Sequence, residues 1–177
     1  MTTSTSQGRR RPLTARKLDI LYLVFFVVHV PIMFLIDLSS TLPSFLVTPL
    51  SRTLVSYHLE RFQDQFFTSP PAWFTIYMWL ELVYHVPVSL WLGWGLWNDH
   101  PLVPLNLLVF ALEVAITTLT CLADISSWTT YTSAQKNDLY GLYVPYLILA
   151  CLMGIDAFIR VKRQVLHGLV QPKGKAA

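Results

Sequence analysis

Four apolar stretches, at roughly 18–38, 73–97, 102–123 and 139–159, each have the length of about 20 residues that a helix needs to cross a bilayer. No other feature limits the possible folds as strongly. Composition agrees, because 54% of the 177 residues are hydrophobic and 13% are charged, against roughly a quarter charged in soluble domains. The longest connection, of about 35 residues between the first two stretches, is too short for a separate soluble domain. The expected fold is all-α: a polytopic membrane protein with a four-transmembrane-helix bundle, kinked helices and a lumenal connecting segment. Its membrane domain covers 17–163, between a disordered start at 1–16 and a basic tail at 164–177.

Charge placement orients the spans. Ten of the 13 Lys and Arg residues lie before the first stretch or after the last, leaving Arg52, Arg61 and Lys136 in the two connections that four spans put on the opposite side. The positive-inside rule then puts both termini in the cytosol. Basic residues that flank membrane segments, without a stripe of interleaved aromatics, point away from nucleic acid despite the net charge of +3. The first apolar stretch is too long for a signal peptide and lacks a small-residue cleavage site, so a retained helix is expected. Cys121 and Cys151 fall inside spans and match no metal spacing; neither a metal nor a cofactor is expected. Lys173 and Lys175 stand fifth and third from the end, the placement of a dilysine retrieval signal for endoplasmic-reticulum membrane proteins.

Between Ser39 and Pro71, Phe45, Leu50, Leu54, Tyr57, Phe62, Phe66 and Phe67 recur at mixed helical spacing, punctuated by Pro43, Pro49, Pro70 and Pro71. Short amphipathic helices are expected there, either lying in the membrane interface or closing the bundle as a lid. Pro31, Pro87 and Pro145 interrupt three of the spans, and each removes a backbone hydrogen bond. His29-Val-Pro31 and His85-Val-Pro87 repeat, but three residues do not make a duplication.

An ionisable group at the centre of a bilayer costs about 2.5–3.5 kcal/mol on insertion scales, so four acids need partners or functions. Asp156 has Arg160 four residues on, the spacing of a helical ion pair. Asp37 closes the first span and Glu81 lies about a third of the way into the second, at comparable depths on the lumenal side. Two carboxyls in one apolar site do not both ionise cheaply, which suits a bound cation. Tyr143, Tyr146 and Phe62 are aromatic neighbours able to add cation–π attraction. Two blander alternatives remain open: Asp37 as a solvated helix end, and Glu81 bonded inside its own bundle. His85 is four residues after Glu81, on the same helix face and in position to share its proton; like His29, it also fits a packing role. Glu113, in the middle of the third span, has Thr117 at the next turn and no assigned role.

His29-Val-Pro-Ile-Met-Phe-Leu-Ile-Asp37, Phe62-Gln-Asp64, Pro70-Pro-Ala-Trp-Phe74, Glu81-Leu-Val83 with Pro87, and Tyr143-Val-Pro-Tyr146 resemble, in order, the sigma-2 receptor branch of the EXPERA family. Its other branch contains the emopamil-binding sterol isomerases. The resemblance implies an endoplasmic-reticulum homodimer whose pocket takes sterols or cationic amphiphiles from the lipid. It implies that Asp37 pairs with a ligand amine, that Glu81 stays protonated, and that Asp64 is structural. Phe62, Thr118, Tyr143 and Tyr146 fall at pocket-lining positions and His29 at a polar one beside them. His85 stands where the receptor branch has an amide.

Moving a ring double bond in a sterol needs an acid, a base and stabilisation of the cation between them. The isomerase branch carries His and then Glu four positions later on its second helix, whereas here Glu81 precedes His85. That order favours binding without catalysis, while Glu113 matches the isomerases' carboxylate on the third helix. A third possibility is a scaffold for protein targeting or quality control, a role associated with fungal relatives.

Overall fold

The computed structural model describes residues 10–170, and among them the chain is helical with no strand. Helix α1 covers Lys17–Leu35 and continues into a 3-10 turn at Asp37–Ser40. Helices α2 (Pro49–Phe62) and α3 (Gln65–Thr68) make up the connection, followed by α4 (Ala72–Leu80) and α5 (Val86–Trp97). Two longer helices, α6 (Val103–Ser127) and α7 (Ser133–Val170), complete the bundle. Three helical segments, 17–40, 103–127 and 133–169, are long and apolar enough to cross a membrane. Over the expected second span the chain is helical from Ala72 to Trp97, but the helix changes form partway along. Between α4 and α5 a π-helical turn occupies Glu81–His85, and the Val86 N–H donates to the Glu81 carbonyl five residues back. Pro87 has no N–H to offer the α-helical ladder, which leaves room for the wider turn.

The lateral surface carries the apolar residues, as lipid contact requires: Val27, Ile116 and Ile155 are each more than 60% exposed. α6 packs along α7 and α1 against α5. Buried Ala111, Ala150 and Ala157 are small enough to let α6 and α7 approach closely. Tyr22, Phe26, Leu92, Leu107, Phe110 and Met153 fill the core at the end of the bundle where α1 begins. A second cluster, of Phe66, Phe74, Met78, Ile125, Trp128 and Leu139, lies at the other end beneath the connection.

That connection forms a lid. Thr48 caps α2 by accepting from the Ser51 N–H at 3.1 Å, and the Ser51 hydroxyl donates to the Leu35 carbonyl at 2.6 Å, docking α2 on the end of α1. Gln63, with φ 52°, stops α2 in the left-handed conformation, and Asp64 starts α3 by accepting from the Phe66 N–H at 3.0 Å. The corner is held to the rest of the bundle by Arg61, which pairs with Asp138 at 2.6 Å.

Helical structure continues past the membrane domain expected over 17–163 at both ends. Residues 10–16, expected to be unstructured, include a 3-10 turn at Leu13–Ala15, an Arg11–Asp99 ion pair at 3.0 Å and a buried Arg16. α7 runs to Val170, so the helix continues into the tail expected at 164–177. Hydropathy marks the part of a helix that sits in lipid, and Arg160, Lys162, Arg163 and Gln164, which follow the apolar run, are good helix formers that carry α7 past it. Lys173 and Lys175, with the retrieval signal assigned to them, lie outside the described residues.

Candidate functional site

Each helix around the lidded end turns one face inward. His29 and Ile32 of α1, with Ile36 just after it, follow helical spacing, as do Phe74, Met78, Glu81 and His85 of α4 and its π turn, Glu113, Thr117 and Cys121 of α6, and Leu142, Tyr143 and Tyr146 of α7. These faces enclose a cavity of about 450 Å³, roofed by Leu54, Tyr57, His58 and Phe62 of α2. The residues singled out from the sequence as ligand contacts, Asp37, Glu81, Phe62, Thr118, Tyr143, Tyr146, His29 and His85, all line this one space. Asp37 enters from the 3-10 turn after α1, and Glu81 from the first position of the π turn.

Charge in the lining is one-sided. Asp37, Glu81 and Glu113 contribute carboxyls, and among the described residues no lysine or arginine faces the cavity. Asp37 does not cap its turn with its side chain. Neither its carboxyl nor that of Glu81 has a hydrogen-bonding or ion-pair partner among the described residues, so Glu81 lacks the contact that the internally bonded alternative expects.

Glu113 is placed differently. One of its carboxyl oxygens meets His85 Nε2, while Oε1 is buried without a partner, and so is Nδ1 of His29. His85 therefore pairs across the bundle with α6 rather than along its own helix with Glu81. Thr117, the expected partner of Glu113, donates its hydroxyl to the Glu113 backbone carbonyl at 3.0 Å. His29 stacks on Phe25 with ring centroids 4.8 Å apart and lies 5.6 Å from the Tyr146 ring. An unpartnered buried donor or acceptor costs about 1–3 kcal/mol, so a ligand able to satisfy these atoms gains by binding.

Asp64 is fully buried and lies outside the lining. It accepts from the Tyr143 hydroxyl at 2.9 Å and faces His58 Nε2 at 3.3 Å, in addition to capping α3. Tyr143 is thereby turned so that its hydroxyl is occupied by Asp64 while the residue still lines the cavity. Sequence reasoning missed Tyr57, His58, Phe74, Met78 and Thr117 as lining residues. Two of these were within reach of it, since Phe74 and Met78 precede Glu81 by seven and three residues on one helix face.

A family model described as EXPERA (EXPanded EBP superfamily) matches residues 49–157, from the start of α2 well into α7. Sigma intracellular receptor 2 of Homo sapiens is 25% identical over 154 residues, covering 80% of this chain and 88% of the relative. The Efficient mitochondria targeting-associated protein 19 of Saccharomyces cerevisiae is 27% identical over 144 residues, covering 72% and 89%. Its Schizosaccharomyces pombe counterpart is 26% identical over 156 residues, covering 86% and 81%. The matched region contains every cavity residue except those contributed by α1 and the 3-10 turn that follows it.

Proposed function

This chain belongs to the EXPERA family, and we propose that it holds a sterol or a cationic amphiphile in the cavity beneath α2, with the amine of a cationic ligand against Asp37 and Glu81. The observation that carries the reading is the set of three carboxyls in an aromatic cavity that no lysine or arginine enters among the described residues. A volume of about 450 Å³ suits a small amphiphile. An amine supplies the countercharge the lining lacks, and the rings of Phe62 and Tyr146 add cation–π attraction.

In this reading Ala72–Trp97 crosses the bilayer as one helix interrupted by the π turn, making four spans with both termini in the cytosol. Lys173 and Lys175 retain the protein in the endoplasmic reticulum, where ligand occupancy influences lipid handling or protein quality control. The names of the relatives, an intracellular receptor and a protein associated with mitochondrial targeting, are compatible with that role. The test is binding of a tertiary-amine amphiphile to the purified full-length chain. Asp37→Asn and Glu81→Gln should each weaken it about tenfold or more, the equivalent of a lost charge-assisted hydrogen bond of about 1.5–3 kcal/mol. Undiminished binding in both variants would contradict the site and leave the scaffold reading.

The His85–Glu113 pair favours one further reading, a Δ8-Δ7 sterol isomerase, because it joins an acid and a base inside the cavity. Purified protein given a Δ8-sterol distinguishes the two. Turnover to the Δ7 product that disappears in Glu81→Gln would replace the binding-only reading.

A further inference from the structure

At the opposite end of the bundle a second cleft, of about 790 Å³, opens between the start of α1, the α5–α6 turn and α7. Its floor is an internally balanced ion network. Arg16, with 3% of its side chain exposed, bonds Asp19 at 2.6 Å and the Leu96 carbonyl at 2.7 Å, and lies 3.7 Å from Asp99. Arg160 bridges Asp19 and Asp156, the latter at 2.8 Å, and Arg11 holds Asp99 at 3.0 Å. Three arginines thus meet the three acids of the cleft. Lys17 and Arg163 also line it, both exposed and neither paired with an acid among the described residues.

The rim has a different chemistry. Leu18 and Ile159 line the same cleft, are 45% and 42% exposed, and belong to the apolar outer surfaces of α1 and α7. A surplus of two cations beside lipid-facing aliphatic side chains matches an amphiphile with an anionic head and an acyl tail. We propose that this cleft binds the phosphate headgroup of an anionic phospholipid, with Lys17 and Arg163 on the phosphate and Leu18 and Ile159 against the chain. A soluble phosphate would use the cations and leave the aliphatic rim unused. Basic pockets between membrane helices are a recognised setting for such headgroups. The site shares no residue with the amphiphile cavity, so the two readings fail separately.

The test uses the full-length chain in detergent and native mass spectrometry with phosphatidic acid, phosphatidylcholine and inorganic phosphate as separate probes. Phosphatidic acid should be retained over phosphatidylcholine, and Lys17→Ala with Arg163→Ala should weaken its retention about thirtyfold, a factor of about five for each cation near the lipid surface. Lys17→Gln with Arg163→Gln should repeat that loss. Arg52→Ala with Lys136→Ala removes the same charge elsewhere and should leave retention unchanged. Equal retention of phosphatidylcholine, or an equal loss in the Arg52 and Lys136 variant, would overturn the site. Binding of inorganic phosphate as tight as that of phosphatidic acid would overturn the lipid assignment.

Discussion

Asp64 ties the lid to the bundle, and its removal should loosen both. In Asp64→Ala the Phe66 N–H loses its cap, worth about 1 kcal/mol. The Tyr143 hydroxyl loses an acceptor at 2.9 Å, a bond worth about 1.5–3 kcal/mol when one partner is charged. His58, at the longer 3.3 Å, adds less. The total is about 3–5 kcal/mol, because the site is fully buried and water does not replace the carboxylate. For a chain of this size that corresponds to a fall in melting temperature of about 8–15 °C. Asp64→Asn keeps one acceptor oxygen and should lose about half as much. Thermal unfolding of the purified full-length chain, followed by tryptophan fluorescence, measures the shift, and the double variant with Tyr143→Phe measures the coupling. Since Tyr143 and α2 also shape the cavity, amine affinity should fall in the same order. An Asp64→Ala protein melting within about 2 °C of wild type would refute the claim that this network holds the lid, because a shift that small is under 1 kcal/mol.

His85→Ala leaves both Glu113 carboxyl oxygens without a side-chain partner and should destabilise by about 2–3 kcal/mol, while His85→Gln, which keeps a donor, should lose less; relative melting temperatures check the order. In Gly95→Ala the new Cβ would stand 2.8 Å from Val103 Cγ2, and Val103 is only 4% exposed; the expected overpacking loss of about 1–2 kcal/mol should be recovered in part by adding Val103→Ala. Hydrogen bonds from Arg11 hold the Asp99 carboxyl below its ordinary value of 3.8, so this contact stabilises the folded chain above that pH and stops doing so as pH falls through the depressed value. Asp99→Asn, which tolerates the position's φ of 52°, should therefore melt below wild type at pH 7, with the gap closing in strong acid and nearly constant between pH 5 and 8.

Hydropathy located the helical runs because it responds to the same apolar length that a bilayer requires, and the run over 72–97 is continuous in the structure as in the sequence. The π turn within it was not legible. Pro87 predicts a missing hydrogen bond, but whether the backbone kinks or widens depends on what packs outside it. The pairing of His85 with Glu113 was hidden for a related reason, since spacing rules relate residues along one helix and this contact crosses to another. Arg16 shows the same limit from the opposite direction. It stands in a polar, basic stretch that reads as unstructured, yet it is buried because Asp19, Asp99 and the Leu96 carbonyl converge on it from three segments.

Taken with the lid, the two clefts account for how this chain distributes its charge. Among the described residues, carboxyls without lysine or arginine line the cavity beneath α2, while surplus cations line the cleft at the other end of the bundle, above a floor of ion pairs. If burying charge served stability alone, opposite signs would be expected to meet within each site, because an unpaired ion in a membrane protein is expensive. They meet on the floor of the second cleft, where Arg16, Asp19, Arg160 and Asp156 satisfy one another. They do not meet at Asp37 and Glu81, which sit where a partner from outside the chain can reach them. The contrast within one bundle is the strongest physical reason to read the cavity as a binding site: among the described residues each acid of the second cleft is paired with an arginine, whereas Asp37 and Glu81 have no partner and face an open cavity.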